Sequence, residues 1–252
     1  MNSKQLPPIF VINLDRSTDR LRFVKEQLDK IGTHFTRLCA VEGIKIEPNL
    51  LSQYISDSSK TITHFTTLSP GEIGCALSQR KGWALASECN ARATVILEDD
   101  IEIYDNFKYT IEKLFEVMDE NIVVDLKTKK GFLEIERRVV DNQVTLVRYS
   151  TPPLATQGAI FGKNAAKKLL LNCKGFSAPI DNLMQKVSQH GVQIWSLETG
   201  CLSHQTAGAG GATIKRPRSG LTKIKDELVR PFWRLSTKIS NFVYHKLAGR
   251  VS

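Results

Sequence analysis

The sequence of 252 residues predicts an α/β fold with a mixed, mostly parallel sheet. Short apolar runs alternate with amphipathic stretches along most of the chain, as expected when strands and helices follow one another. The composition, 41% hydrophobic and 24% charged, is typical of a globular domain that buries a core. No internal repeat is visible in the sequence.

The N-terminal part of the chain predicts two strands and two helices. The segment PPIFVIN indicates a first strand, and Ser17 is a suitable N-cap for a helix from Thr18 to about Ile31. Gly32 is expected to end that helix. HFTRLCAV predicts a second strand, and NLLSQYIS predicts a short helix.

The next helix has the clearest start in the sequence. Ser69, Pro70 and Glu72 fall at the N-cap, N1 and N3 positions, which combines a capping box with a favourable proline. The helix is expected to run to about Cys89. It leads into a buried strand, ATVIL, at residues 93–97.

The alternation of elements continues as far as the strand VQIWSL. FKYTIEKLFEVM predicts a helix, and IVVDL, GFLEIE and VTLVRY predict strands. TQGAIFGKNAAKKLLLN predicts a strand, a turn at Gly162 and a helix, and PIDNLMQKVSQHG predicts one further helix before VQIWSL. TAGAGGAT, residues 206–213, predicts a glycine-rich loop.

The distribution of charge divides the chain into a domain, residues 1–214, and a basic tail, residues 215–252. The formal net charge is +9, but the tail holds ten Lys or Arg against two acids. The domain therefore carries a net charge of only about +1. A nearly neutral domain argues against a cationic surface for nucleic acid, and no nucleic-acid partner is expected.

Within the tail, residues 221–252 predict a basic amphipathic helix, which Pro231 is expected to kink or split. Such a helix is typical of a segment that lies on an anionic membrane surface. The alternative is a helix that packs on the domain and exposes a cationic face. The apolar residues near helical spacing are Leu221, Ile224, Leu228, Leu235, Ile239, Phe242 and Leu247, with Phe232 and Trp233 beside them.

Three features of the sequence predict a cytosolic protein. No run of about 18 apolar residues exists, so no transmembrane helix is expected. The first residues lack the layout of a signal peptide. The five cysteines are scattered without a CxxC pair, which favours reduced thiols and argues against a zinc site.

The segment TVILEDDIEI places three adjacent carboxylates directly after a buried strand, so something must offset their charge. Alternation along a strand directs Glu98 and Asp100 to one side and Asp99 to the other. Carboxylates at i and i+2 suit Mg²⁺ or Mn²⁺. Ligands of open α/β sheets bind beyond the carboxyl ends of the strands, where this cluster should lie. A solvated acidic loop is the alternative.

Four segments, in order and with plausible spacing, resemble glycosyltransferase family 25, the lipooligosaccharide galactosyltransferase family that also includes the collagen galactosyltransferases. They are FVINLDRSTDRLRFVKEQLDKIG, LSPGEIGCALSQRKGW, ATVILEDDIEI, and QGAIFGKNAAKKLL followed by APIDNL. Together they span roughly residues 9–204. Gln79 departs from the pattern, since relatives usually carry His there, which puts acceptor choice or activity in question. Residues 119–150 match no motif.

The resemblance implies a GT-A fold, a UDP-sugar donor and Mn²⁺ or Mg²⁺ as cofactor. A divalent ion between carboxylates and a leaving diphosphate would act as a Lewis acid. The implied metal ligands are Glu98 and Asp100, which also face the nucleotide ribose, and His204. A lone histidine such as His204 is also often structural.

The end of the first strand and the start of the following helix are expected to bind the nucleotide, because helix N-termini and guanidinium groups suit phosphate. The alternatives are a surface charge for Arg20 and simple helix capping for Glu72. The residues assigned to the nucleotide sugar are Asn13, Leu14, Asp15, Arg16, Arg20, Glu72 and Asp99.

An inverting transfer requires a general base that deprotonates the acceptor hydroxyl. The resemblance indicates Asp181 for this role, because it lies at a helix start in a segment that matches the family. The alternative is that Asp181 only charges the first helical turn.

The function implied by the resemblance is transfer of galactose from UDP-galactose to a lipooligosaccharide or lipopolysaccharide core acceptor, with inversion. The expected location is cytoplasmic, peripheral on the inner face of a bacterial cytoplasmic membrane. A Mg²⁺-dependent phosphotransferase or nuclease is one alternative, although the sequence lacks a P-loop and a second carboxylate cluster. A non-enzymatic nucleic-acid-binding protein that uses the basic tail is the other.

Overall fold

The computed structural model describes residues 6–55, 68–154, 156–176, 178–205 and 220–248, without the side chains of Ser52 and residues 220–228. The strands are β1 (Ile9–Asn13), β2 (Thr36–Cys39), β3 (Ala93–Glu98), β4 (Ile101–Ile103), β5 (Ile122–Asp125), β6 (Phe132–Val139), β7 (Thr145–Thr151), β8 (Gly158–Gly162), β9 (Gln193–Leu197) and β10 (Leu202–His204). The helices are α1 (Thr18–Lys30), α2 (Pro48–Leu51), α3 (Pro70–Glu88), α4 (Phe107–Val117), α5 (Lys163–Asn172), α6 (Ile180–Gln185), α7 (Val187–His190) and α8 (Gly220–Ala248), with 3₁₀ turns at Gly43–Lys45 and Ser52–Tyr54. The predicted loop at 206–213 lies outside the described residues.

In the described part of the chain, eight strands form one sheet in the order β2-β1-β3-β8-β5-β9-β7-β6. β1 pairs in parallel with β2 and β3, and β5 pairs in parallel with β9. β8 and β7 run in the opposite direction, so six of the eight strands point the same way. The predicted class, an α/β fold with a mixed and mostly parallel sheet, is confirmed.

Helices cover both faces of the sheet because the buried strands are apolar on both sides. On one face Val95, Leu97 and Val124 pack against α1 and α4. On the other, Ile96 and Val123 pack against α3, α5 and α6. The carboxyl ends of β1, β3 and β5 meet at one edge of the sheet, which is where the sequence predicted a ligand site.

The predicted starts of the first helices are confirmed in most details. α3 has the full capping box, since Ser69 Oγ accepts from Glu72 N at 3.2 Å and Glu72 Oε2 accepts from Ser69 N at 2.9 Å. Gly32, at φ +61°, follows the end of α1. Ser17 is at the N-cap position of α1, although its side chain makes no cap hydrogen bond.

The single helix predicted for PIDNLMQKVSQHG is wrong in one respect, because the structure has two helices, α6 and α7, that meet at Lys186. The side chain of Asn241, on α8, fills the break. Its Nδ2 donates to Gln185 O at 2.8 Å, and its Oδ1 accepts from Ser188 N at 3.0 Å. A contact from a distant helix thus replaces the backbone bonds that a continuous helix would make.

Residues 220–248 of the tail form α8, and Pro231 lies inside this one helix, so the expected split is wrong and the expected kink stays a prediction. Trp233, Thr237 and Asn241 are buried against the domain and lie on one face of the helix. The large apolar residues Leu235 and Ile239, more than half exposed, lie on the opposite face. Among the described residues, no helix is long and apolar enough to cross a bilayer.

Candidate active site

The acidic segment after β3 is divided between the two faces of the sheet, with Glu98 on the α3 face and Asp99 on the α1 face. Asp100 does not stay with Glu98 as alternation predicts, because it also approaches Arg20 of α1. Asp99 turns toward β1 and α1, where Asn13 Nδ2 donates to its Oδ2 at 2.7 Å and Arg20 Nη1 lies 3.3 Å from its Oδ1. Arg37 in turn donates to Asn13 Oδ1 at 2.9 Å. Burial raises the pKa of Asp99, while Asn13 and Arg20 oppose that shift. Asp99 therefore ties the acidic segment to the first strand and helix.

Arg20 is the cation that offsets the adjacent acids. Its guanidinium is nearly buried and also lies 3.6 Å from Asp100 Oδ2. The alternative of a surface charge for Arg20 is therefore excluded, and its predicted contact with the nucleotide sugar stays a prediction. Arg20 bridges two carboxylates of the cluster, which answers how the fold tolerates three neighbouring acids.

His204 lies beside Asp100, with 3.7 Å between His204 Nδ1 and Asp100 Oδ1. A small antiparallel sheet that the sequence did not predict brings them together, because β10 pairs with β4 and sets His204 opposite Ile101. Gln205 N also donates to Asp100 O at 2.9 Å. The Asp100 Oδ1 atom is buried and has no hydrogen-bond partner within the described residues.

Glu98 lies on the α3 face of the sheet and is held by Gln79. The Gln79 amide donates to Glu98 Oε1 at 3.0 Å and to Thr156 O at 3.2 Å. Desolvation, together with the charge of Asp100, raises the pKa of Glu98 to about 7. Gln79, the residue that departs from the family pattern, therefore contacts the acidic cluster directly.

Glu72 and Asp181 reach the same region from α3 and α6. Glu72 is buried and caps α3, and Asp181 lies in the first turn of α6, where its Oδ1 accepts from Asn182 N at 2.8 Å. Burial raises the pKa of the Cys75 thiol well above its usual range, and four carboxylate charges add to that shift. They are Glu98, Asp181, Asp100 and Glu72. Glu98, Asp100, Asp181 and Glu72 are therefore all near enough to Cys75 for their charges to act on its thiol.

An open cavity of about 320 Å³ lies beyond the ends of β1 and β2. Leu14 and Asp15 line it on one side, and Val41, Glu42 and Lys45 on the other. Arg16 pairs with Glu42 at its rim rather than lining it. The structure thus places Leu14 and Asp15 in a cavity, and turns Asn13 and Arg20 toward Asp99 instead.

The described residues contain no group of three His, Cys, Asp or Glu side chains arranged to hold a metal ion. Two of the three predicted ligands, Asp100 and His204, are adjacent. Glu98 is held by Gln79 on the other side of the cluster.

Sequence reasoning missed one acidic residue at this edge of the sheet, Asp125 at the end of β5. It is 5% exposed, and burial raises its pKa to about 6. The signal was available, because IVVDL is a buried strand that ends in a carboxylate, as VILEDD is. A single acid after an apolar run is a weaker sequence signal than three adjacent acids.

A mixed α/β sheet with carboxylates gathered at the mouths of its strands is the arrangement in which α/β proteins commonly bind ligands. The sequence model of glycosyltransferase family 25, described as LPS biosynthesis protein, matches residues 6–184. The chain belongs to glycosyltransferase family 25.

Two relatives illustrate the similarity. A glycosyltransferase 25 family member of Drosophila melanogaster is 26% identical over 184 residues, covering 71% of this chain and 29% of that protein. Human procollagen galactosyltransferase 2 is 28% identical over 196 residues, covering 70% and 29%. The chain spans less than a third of the length of these curated relatives. A solved glycosyltransferase involved in glycosylation of the PBCV-1 major capsid aligns with a TM-score of 0.40 and 10% identity, covering 89% of this chain and 99% of that one.

Proposed function

We propose that this family 25 enzyme transfers galactose from UDP-galactose to a lipooligosaccharide or lipopolysaccharide core acceptor, with inversion at the anomeric carbon. The observation that carries the proposal is the pairing of Asp100 with His204 beyond the end of β3, where the buried Asp100 Oδ1 lies 3.7 Å from His204 Nδ1 and lacks a hydrogen-bond partner within the described residues. The family description supports an acceptor of this class, and the name of the human relative supports galactose.

The donor nucleoside would occupy the cavity beside Leu14 and Asp15, whose volume of about 320 Å³ is in the range of small-molecule sites. The diphosphate would then point along the sheet edge toward Asp100. Arg20 would contribute mainly by fixing Asp99 and Asp100, because its guanidinium contacts both.

Asp100 and His204 have the donor set for Mn²⁺ or Mg²⁺. The buried Asp100 Oδ1 atom, without a hydrogen-bond partner within the described residues, faces the His204 imidazole at 3.7 Å. Such ions commonly take one or two protein carboxylates and complete their shell with phosphate and water. Bound there, the ion would supply Lewis-acid stabilisation of the leaving diphosphate. Glu98, held by Gln79, would contact the nucleotide ribose.

Asp181 would be the general base. It lies in the first turn of α6, and its charge acts on the same Cys75 thiol as the charges of Glu98 and Asp100, so an acceptor hydroxyl bound between α6 and these acids would be deprotonated by it. Inversion needs only one such base opposite the leaving group, which suits a site with the diphosphate at Asp100.

The tail would attach the enzyme to an anionic membrane surface through residues 221–252, on the inner face of a bacterial cytoplasmic membrane. The outward face of α8 supports this location, because it presents Leu235 and Ile239 to solvent. Residues 229–248 contain Arg230, Arg234, Lys238 and Lys246 and no acid. A lipid-linked acceptor would lie in the same surface.

The test is hydrolysis of a panel of nucleotide sugars by the full chain, with Mn²⁺ and with EDTA. We expect UDP-galactose to be hydrolysed with Mn²⁺ only, and Asp100→Asn to lower the rate at least about a thousandfold, since metal stabilisation supplies several kcal/mol. Asp105→Asn, an exposed acid five residues away, is the matched control and should keep the wild-type rate. Full activity of Asp100→Asn, or of the wild type in EDTA, would contradict the metal site.

A further inference from the structure

A small, partly open cavity lies beside Gln79, next to the acidic cluster. Its volume is about 20 Å³, room for about one water molecule. Gln79 and Thr156 form the wall toward Glu98, and Trp83 and Asp125 are also among its lining residues. The cavity therefore adjoins the proposed reaction site at the Gln79 amide, which contacts Glu98.

Asp125 reaches this cavity because of the register of the sheet. It pairs with Ala159 on β8, which pairs in turn with Ile96 on β3, so Asp125 is level with a residue two positions before Glu98. Both carboxylates emerge on the α3 face of the sheet. Asp125 thus lies deeper than Glu98 at the same edge.

The Asp125 carboxylate is only half satisfied by the protein. Its Oδ1 accepts from Lys127 N at 3.1 Å, but its Oδ2 is buried without a hydrogen-bond partner in the part of the chain that the structure describes. The nearest cation along the chain, Lys127, donates instead to Gln157 Oε1 at 2.8 Å. A buried carboxylate oxygen left in this state is costly, and the cost implies a ligand that supplies a donor.

Trp83 offers the complementary group. Its indole ring is 1% exposed and lines the same cavity, and its Nε1–H has no acceptor among the described residues. The cavity therefore presents one unused acceptor and one unused donor. A hydroxyl group satisfies both at once, because it donates one hydrogen bond and accepts another.

We propose that this cavity binds the hydroxymethyl group of a hexose, with the hydroxyl donating to Asp125 and accepting from Trp83. The inference rests on the proposed function, since the hexose would be either the transferred sugar or the acceptor sugar. A space of this size excludes a pyranose ring and admits an exocyclic arm. The apolar lining residues Val123 and Met184 suit the methylene carbon of that arm.

The two sources of the hexose are distinguished by two sets of 6-deoxy compounds used with the wild-type full chain. Calorimetry with UDP, UDP-galactose and UDP-6-deoxygalactose reports on the donor. Transfer kinetics with hexoside acceptors and their 6-deoxy forms report on the acceptor. A hydrogen bond to a charged group corresponds to a discrimination of about ten- to a hundredfold. We expect that loss in one of the two sets.

Asp125→Asn and Trp83→Phe should reduce this discrimination while leaving the affinity for UDP unchanged. Thr94→Val is the matched control, since its buried Oγ1 also lacks a partner among the described residues but lies toward the other end of β3. It should keep full discrimination. Wild-type enzyme that accepts both 6-deoxy sets equally well, or variants that still discriminate, would show that the cavity holds only water. Failure of the wild type to hydrolyse any UDP-sugar would instead overturn the proposed function, and the calorimetric arm would still report on the cavity.

Discussion

The ends of β3 and β5 lie at the same edge of the sheet and both carry buried carboxylates. The two regions differ in the number of partners that compensate the carboxylate charge. At the end of β3, Arg20 and Asn13 contact Asp99, and Gln79 holds Glu98. At the end of β5, Asp125 has a backbone amide for one oxygen and no partner within the described residues for the other. The difference shows that the protein gives hydrogen-bonding and charged partners to the acid that ties β3 to β1 and α1, which is Asp99. It leaves one oxygen of Asp125, which lines a cavity, without a partner among the described residues.

The largest expected effect comes from removing the compensation at β3. Arg20→Met should lower the free energy of unfolding by about 3–5 kcal/mol, because it leaves Asp99 and Asp100 as neighbouring buried charges without their cation. Urea unfolding at pH 7 measures it. Arg22→Met, which removes an exposed pair with Asp19 on the same helix, is the control and should change stability by less than about 1 kcal/mol. Equal effects of the two substitutions would remove the distinction between the regions.

Removing the acid at the end of β5 is expected to change stability in the opposite direction. The pKa of Asp125 is raised from 3.8 to about 6, mainly by burial, with Lys127 and Lys129 opposing the shift. Between about pH 4 and pH 6, the native state therefore still holds the Asp125 proton that the unfolded state has already lost. The resulting penalty is full above about pH 6, fades between pH 6 and pH 4, and is absent below that range. Asp125→Asn should thus be more stable than wild type by about 3 kcal/mol at pH 7.5 and no more stable at pH 4.

Unfolding curves of wild type and Asp125→Asn across this pH range measure the difference. A variant that is less stable than wild type at every pH would mean that Asp125 makes structural bonds, and the contrast between the two strand ends would then disappear.

The first half of the fold was predictable because its signals are local. The capping box at Ser69 and the Pro70 start of α3 fall within four residues, and the apolar run before Glu98 marks a buried strand by itself. Alternation within the same segment accounts for the opposite directions of Glu98 and Asp99, but not for Asp100, which approaches Arg20. His204 was assigned to the metal only from the resemblance to the family, and that role stays a prediction.

What the sequence did not reveal depends on contacts between distant segments. The break between α6 and α7 exists because Asn241, more than 50 residues later, binds the backbone on both sides of Lys186. The position of Arg20 depends on a guanidinium reaching across from α1 to Asp99, 79 residues away. The sequence shows that Asp125 ends an apolar run, but only the structure shows that one of its oxygens is buried without a partner among the described residues.

Asp181 adds to the comparison an acid that is proposed to deprotonate the acceptor hydroxyl rather than to stabilise the fold. Asp181→Asn should lower the rate of sugar transfer by about a hundredfold, the usual contribution of a general base, and leave donor affinity nearly unchanged. Transfer assays and calorimetry with UDP-galactose measure the two quantities. Asp119→Asn, whose side chain binds Asn121 near the start of β5 at the far end of the sheet, is the control. Loss of donor affinity in Asp181→Asn would place Asp181 with the β3 acids instead.

The smallest expected effect concerns α8, whose two faces also differ. One face is buried and hydrogen-bonded to the domain, and the other is exposed and apolar. Asn241 is fully buried and donates to Thr151 Oγ1 at 3.1 Å, whereas Ile239 is 55% exposed. Ile239→Glu should therefore leave the fold unchanged but weaken binding to anionic vesicles by about tenfold or somewhat more, since it removes part of the 1.5–3 kcal/mol of a buried apolar side chain and adds a repelled charge. Ser240→Glu adds the same charge at the neighbouring exposed position and isolates the apolar contribution. Vesicle sedimentation with phosphatidylglycerol, at low and high salt, measures both variants. Equal weakening by the two variants would reduce the tail to a purely electrostatic attachment, and no binding by the wild type would exclude a membrane role for α8.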